Sequence, residues 1–469
     1  MIMPVILWTD ALIFLLVAIT TAFALYARRK PHLRAPWRHV VCSRLGSMAV
    51  VILCAYIIIG LLDSLHYRLA LESNDAGAET HYASEVLSAL DALVGPLRTQ
   101  TEKTYSAPFA THLFTREIIQ QPEGGQTREY PRLKYGGRHL QNPAVDARAD
   151  ILRRSGVALA QTLTAGLAVL LLITLWQAHR RQQAFTTMLR TILKRRSEVP
   201  WLIIWISLSI LALLIFLAAN LATAYHVFGT DKVGEDVFYQ TLKSIRTGLV
   251  IGTLTTLIML PFAIFMGILA GYARGWIDDV IQYTYTTLSS IPGVLLIAAT
   301  ILMLQVYMAN HPELFETTLE RADIRLLFLS IILGITSWTG LCRLLRGESL
   351  KLREAEYIQA ATAFGVRHSK IISRHILPNV MHIVLITVVL DFSGLVLAEA
   401  VLTYVGVGVD PTMNSWGNMI NSARLEMARE PVVWWSLLAA FLFMFTLVLA
   451  ANLFSDAVRD AFDPRLRQH

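Results

Sequence analysis

Residues 352–379 read LREAEYIQAATAFGVRHSKIISRHILPN. Glu356, Gln359, Ala360, Ala361 and Ala363 are all acceptable in a helix. Gly365 supplies the positive φ at which helices often end. Ser369 can cap a second short helix, and Pro378 bounds that helix just before the next apolar run. The stretch is therefore predicted as two short helices around a break. Ala360 and Ala361 carry almost no side chain, so the backbone of another protein can approach them closely. Tyr357 and Phe364 stand seven residues apart near one helical face, as two large anchors.

Long apolar runs lie on both sides. Nine segments approach the ~20 residues that a helix needs to cross a bilayer. They are approximately 5–27, 45–62, 157–178, 201–225, 249–270, 281–307, 326–342, 380–402 and 432–454. Helices are expected because a bilayer offers the backbone no other partner outside a closed barrel. The composition agrees: 55% of residues are hydrophobic, only 16% are charged, and the mean hydropathy is +0.51. The net charge of +7 does not point to nucleic acid, because the basic residues cluster beside the apolar runs. Arg28, Arg29, Lys30, Arg34, Arg38 and Arg44 fill the first connection. Arg180, Arg181, Arg190, Lys194, Arg195 and Arg196 fill the third, against Glu198 alone. Lys351, Arg353, Arg367, Lys370 and Arg374 mark residues 345–378, and Arg459, Arg465 and Arg467 mark the C-terminus. All four regions are expected on the cytoplasmic side, which leaves the N-terminus outside.

Residues 63–155 then fall outside as a loop or small domain. They carry Gly124, Gly125, Pro131, Gly136 and Gly137, and residues 84–98 can form one amphipathic helix with Leu87, Leu90, Leu93 and Val94 on a face. The start of the chain is not read as a cleaved signal, since its basic cluster follows the apolar run. Cys42, Cys54 and Cys342 form no Cys-x-x-Cys pair and are read as packing residues, so no metal site is expected. The sequence shows no internal repeat. Phosphate-loop, nucleophile-elbow and His-Glu-x-x-His motifs are absent, so no catalytic residue is assigned.

The 352–379 stretch resembles the EAA loop of ABC importer permeases. The matching positions are Gln359-Ala360-Ala361, Gly365 and His375-Ile376-Leu377-Pro378, with the spacing intact. Gln359 stands for the usual Glu and His375 for Ile; Gln keeps the size and loses the charge. A second stretch, Gly229-Thr230-Asp231-Lys232-Val233-Gly234-Glu235-Asp236, is similar to the external Gly-Thr-Asp turn of dipeptide and oligopeptide permeases, with Glu235 in place of Arg. Asp and Gly suit a tight turn there. Residues 269–278, 399–417 and 457–465 extend the resemblance, which covers about 201–469 and is closest to the second permease subunit of the peptide and nickel branch.

That resemblance implies an all-α polytopic membrane protein: a six-helix type I importer core (201–469) preceded by three additional transmembrane helices (1–200). It implies a bacterial inner-membrane subunit that pairs with a second homologous permease, two ABC ATPase subunits and an external substrate-binding protein. The loop residues Glu356, Tyr357, Gln359, Ala360, Ala361, Phe364, Gly365, Leu377 and Pro378 would dock on the ATPase. No cofactor is expected on this chain; ATP and magnesium would sit on the partner ATPase. Peptides are the expected cargo, with nickel complexes and peptide-like antibiotics as the alternatives, moved by alternating access.

Candidate pathway residues are Ser289, Ser290, Pro292, Asp391 and Glu399. Pro261 and Pro292 interrupt apolar runs, which packing also explains. Asp391 and Glu399 are acids in or near a span, functional by default. For Asp391 three readings stay open: a pathway group attracting a substrate amino group, a protonated acid, or a pair with a neighbouring helix. Two rival functions remain. An ion-gradient transporter predicts internal repeats and transport without ATPases. A receptor or assembly protein predicts that deleting residues 64–155 abolishes function.

Overall fold

The computed structural model describes residues 2–71, 81–120, 126–194, 197, 199–314 and 317–462. Gly124, Gly125, Arg195, Arg196, Glu198, Arg465 and Arg467 lie outside the described residues. The helices are α1 (Trp8–Arg28), α2 (Pro31–Cys42), α3 (Arg44–Asp63), α4 (Ala89–Leu93), α5 (Gly95–Thr99), α6 (Pro143–Arg181), α7 (Phe185–Leu193) and α8 (Trp201–Leu221). They continue as α9 (Val237–Ala273), α10 (Trp276–Ser290), α11 (Gly293–Asn310), α12 (Thr318–Arg353), α13 (Glu356–Ala363), α14 (His368–Ile371), α15 (Leu377–Tyr404), α16 (Trp416–Glu426) and α17 (Trp435–Phe462). Short strands β1 (Ile2–Val5), β2 (His66–Leu69) and β3 (Leu87–Ser88) form one antiparallel sheet. Strands β4 (Glu117–Gln120) and β5 (Gln126–Glu129) form a second.

Among the described residues nine helices are long and apolar enough to cross a membrane: α1, α3, α6, α8, α9, α11, α12, the run His368–Tyr404, and α17. The all-α membrane architecture expected from the sequence is thus present.

Several boundaries differ from expectation. The run 281–307 is two helices. Pro292 drives Ile291 into an extended conformation (φ −82°, ψ 128°), so α10 stops and α11 starts afresh. Pro261 does not interrupt its helix, for α9 runs through it. The third span starts at Pro143, so the last part of the 63–155 segment is already helix. Residues 84–98 are not one helix. A capping box between Ser88 and Asp91 starts α4 only at Ala89, and α5 begins anew at Gly95-Pro96. Pro378 does not end the second short helix. A π-helical turn over Ile372–Ile376, in which Leu377 N–H donates to Ile372 O, carries α14 into α15, and Pro378 sits in the first turn of α15. Ser369 makes no cap; Arg367 occupies that position.

The chain divides into two compact units. The first comprises Met1–Val5, Val41–Arg246 and Asn414–Ala450. Here α6 and α8 pack closely at Gly166, whose carbonyl accepts from Trp205 Nε1 at 2.7 Å. Tyr56 of α3 donates to Phe443 O at 2.9 Å. The second unit comprises Ile6–Val40, Thr247–Met413 and Ala451–His469. Its core gathers Met259, Ala263, Leu341, Leu345, Ile371 and Val380. In α9, a Cβ on Gly267 or Gly271 would come within 2.8 Å of Cys342 O or 2.5 Å of Arg346 O, so these glycines let α9 and α12 touch backbone to backbone. Helix α1 is fastened to α12 in the same unit by Thr9, whose N–H and hydroxyl both donate to the Asp323 carboxylate.

Candidate functional site

Two regions singled out in the sequence take defined form, one in each unit. In the second unit, α13 is one-sided. Ile358 is fully buried, and Ala361 and Val366 pack on the same core cluster. Burying an isoleucine side chain is worth about 1.5–3 kcal/mol, enough to fix the helix on its support. The other side is open: Glu356, Gln359, Ala360 and Gly365 are exposed, and Tyr357 and Phe364 are 47% and 87% exposed. Ala361 therefore faces the core, and Ala360 alone of the alanine pair offers a bare backbone. Gly365 adopts φ +70° just past the helix, as its glycine identity requires. Asn379 Nδ2 donates to the Tyr357 hydroxyl at 3.2 Å and to His375 O at 2.7 Å. Gln359 Nε2 donates to Glu354 O at 3.2 Å, so the residue that replaces Glu holds its own backbone. Tyr272 OH meets His368 Nδ1 at 2.6 Å, and Arg274 pairs with Glu354. Arg346 grips the Asp278 carboxylate with Nε and Nη2 at 2.6 and 2.8 Å, joining α12 to α10. Leu377 packs on the core, and Pro378 is exposed beside it. The outcome is a ledge carrying two aromatic side chains, Tyr357 half exposed beside Asn379 and Phe364 almost fully exposed.

In the first unit, Gly229–Asp236 forms a tight turn. Asp231 Oδ1 accepts from Val233 N and Glu235 N, both at 2.9 Å. Asp236 Oδ1 accepts from Phe238 N (2.8 Å) and Tyr239 N (3.2 Å), which caps α9. Gly229 and Gly234 have φ of +67° and +81°. Residues 102–109 and Gly137 pair with this turn and the residues just before it. Glu102 N donates to Gly234 O at 2.9 Å, Thr230 N to Ser106 O at 3.1 Å, Phe109 N to His226 O at 3.0 Å, and Gly137 N to Ala224 O at 2.8 Å. Thr230 Oγ1 accepts from Ser106 N at 2.7 Å and donates to Thr104 O at 2.9 Å. A side chain on either glycine would run into this backbone, at Ser106 O or Glu102 O.

The turn is locked by a buried charge cluster. His226 Nδ1 lies 2.7 Å from Asp236 Oδ2, and its Nε2 lies 3.5 Å from Glu102 Oε1, an ion-pair contact longer than a hydrogen bond. Glu102 also accepts from the backbone N–H groups of Lys134 (2.8 Å), Tyr135 (2.8 Å) and Gly136 (3.1 Å). Burial alone would lower the His226 pKa, but the Asp236 and Glu102 carboxylates outweigh it and raise it to about 9. Burial would raise that of Glu102, and His226 with the three amides brings it down to about 2. Nearby, Lys243 of α9 meets Asp63 at 2.6 Å and Asp91 at 3.0 Å. Burial would raise the Asp91 pKa; Lys243 and the Ser88 and Tyr239 hydrogen bonds lower it.

Glu102, Ser106 and His226 were not found in the sequence. A single acid in a polar stretch pairs here with residues over 120 positions away, and nothing in its neighbourhood announces that.

The pathway candidates separate. Ser289, Ser290 and Pro292 sit exposed at the break between α10 and α11, where Ser290 Oγ donates to Thr287 O. Glu399 is buried and accepts from Thr403 Oγ1 at 2.9 Å. Asp391 is half-buried on α15.

Residues 263–468 match the family described as binding-protein-dependent transport system inner membrane component. The oligopeptide transport system permease protein OppC of Haemophilus influenzae is 32% identical over 250 residues, 53% of this chain and 74% of that protein. The glutathione transport system permease protein GsiD of Pectobacterium atrosepticum is 32% identical over 244 residues, 52% and 73% respectively. The dipeptide transport system permease protein DppC of Bacillus subtilis is 30% identical over 246 residues, 52% and 71%.

Proposed function

The chain belongs to the family of binding-protein-dependent transport inner-membrane permeases, and on that premise we propose that it forms half of the pathway of an ATP-driven peptide importer and takes its motion from a separate ATPase. The observation that carries this reading is the α13 ledge: Ile358 anchors it inward, while Tyr357, Ala360 and Phe364 face outward on a helix closed by Gly365. An element fixed to the core and open on one side can pass a partner's movement into the helices that hold it. The relatives named for oligopeptide, dipeptide and glutathione transport support a peptide-like cargo.

The remaining partners are a second permease, two ATPases carrying ATP and magnesium, and an external binding protein. The basic connections support a cytoplasmic side for 345–378 and the C-terminus, with the N-terminus outside. Residues 201–469 are the permease module and 1–200 an added extension, a division of the sequence rather than of the packing.

The test is Gly365→Pro. Proline fixes φ near −65°, whereas this position needs +70°. The variant should insert in the membrane yet lose ATPase co-purification and ATP-driven uptake. Normal co-purification with normal uptake would end the coupling reading.

A further inference from the structure

Asp391 lies near the middle of the 28-residue α15, inside the span His368–Tyr404. Other enclosed acids of its unit are held by donors: Asp278 by Arg346, Asp323 by Thr9, Glu399 by Thr403, and Asp410 beside Arg325 at 3.5 Å. Among the described residues the Asp391 carboxyl has no hydrogen bond and no ion pair. In-chain pairing, one of the readings its sequence left open, is therefore not what keeps it there.

Its surroundings are open on one side. Leu390, Leu397 and Val401 are 46%, 42% and 54% exposed along the adjoining strip of α15. Gly394, one turn on, is exposed, and a Cβ built there would meet nothing within 4 Å. The carboxyl thus stands at the edge of an uncovered strip with free space beside it. As an ionised carboxylate facing lipid it would be costly, so in that form water or a cation must meet it.

We propose that Asp391 lines the translocation pathway and is the counter-ion for the free α-ammonium group of a peptide in transit, an inference that rests on the transport reading above. A pathway that serves peptides of differing side chains can recognise only what they share: the backbone and its two charged ends. One carboxylate complements the ammonium end. Because it is single and has free space on the Gly394 side, it binds weakly enough to release its cation, which conduction requires. A fixed cation from the second permease would instead close the strip and hold the charge permanently.

The experiment uses the assembled importer in proteoliposomes. A pool of di- to pentapeptides with free amino termini is read by mass spectrometry. Asp391→Asn should lower uptake kcat/KM about tenfold, and Asp391→Glu should retain it, with the second permease present at normal stoichiometry in both. Asp391→Cys, in a Cys42→Ser, Cys54→Ser, Cys342→Ala background, should react with a water-soluble thiosulfonate in the nucleotide-free or the ATP-trapped state, and peptide should slow that reaction. The proposal is overturned if Asp391→Asn transports normally, if Asp391→Glu is as impaired as Asp391→Asn, or if Asp391→Cys stays unlabelled. It is overturned equally if Asp391→Asn loses the second permease, which would assign the charge to a subunit pair. Wild type taking up no peptide would bring down the transport reading itself; a wild type that transports beside an equally active Asp391→Asn brings down this inference alone.

Discussion

Phe364→Ala separates docking from folding. The side chain is 87% exposed, so little within its own unit depends on it. Removing it should leave the thermal stability of the isolated permease within about 0.5 kcal/mol of wild type, the range of ordinary surface changes. If the ring fills a pocket on the ATPase, docking buries most of its apolar surface, worth about 1.5–3 kcal/mol. At 1.4 kcal/mol per tenfold, ATPase affinity should fall roughly 10- to 150-fold. Ile358→Ala is the counterpart. That residue is 1% exposed in the core, and truncation should cost about 2–5 kcal/mol of permease stability by opening a cavity. The assay titrates purified ATPase onto permease held in nanodiscs, with thermal unfolding of each variant measured alongside. Phe364→Ala binding the ATPase as tightly as wild type would refute the claim that this ring is an anchor. A large loss of stability in Phe364→Ala would refute the claim that the ledge presents it to a partner.

The buried cluster at the turn predicts a pH profile. His226 has its pKa raised from 6.5 to about 9, so its contribution is complete below pH 6.5 and is lost as pH rises through 9; thermal unfolding should show that loss in wild type and not in His226→Gln. Glu102, lowered from 4.5 to about 2, acts oppositely: its contribution is present above pH 4.5 and lost as pH falls toward 2, which Glu102→Gln should flatten. Gly234→Ala and Gly365→Ala should differ although both glycines have positive φ. Gly365 has open space and should cost about 1 kcal/mol, whereas at Gly234 the new Cβ strikes the Glu102 carbonyl and should cost ~3 kcal/mol or more, as chemical denaturation can measure.

The spans were legible because bilayer thickness imposes a length and composition that a sequence cannot disguise. The loop was legible because glycine at φ +70° and small residues on a short helix are local requirements written at single positions. Proline positions were harder. Pro261, Pro292 and Pro378 have the same covalent limits, yet one lies within a helix, one breaks a run and one opens a helix beyond a π turn. Which of these happens depends on what neighbouring groups supply to the freed carbonyls, and that is tertiary. Helix α13 also misled in detail: the seven-residue spacing put Tyr357 and Phe364 near one face, but only packing shows that Ala361 faces inward. The partners of Glu102 had no local trace at all.

Those partners alter how residues 64–155 can be questioned. Loss of function on deleting residues 64–155 is the natural test of a receptor or assembly role. Yet Glu102, Ser106 and Phe109 supply backbone partners to Gly234, Thr230 and His226, and Glu102 supplies a carboxylate facing His226. Asp63 and Asp91 likewise face Lys243 on α9. Excision would strip a buried imidazolium of one of its two carboxylates and leave a turn carbonyl and amide unpaired, each such orphan costing about 1–3 kcal/mol. The turn that caps α9 would fail whether or not the segment contacts anything else. A deletion therefore cannot distinguish a segment that acts from one that supports. Substitutions on its exposed face, such as Tyr130→Ala at 48% exposure, leave in place the clasp that Glu102, Ser106 and Phe109 make on the turn, and can. If they reduce uptake while the His226 pH profile is unchanged, the segment acts on a partner; if only clasp residues matter, its work is to hold the turn.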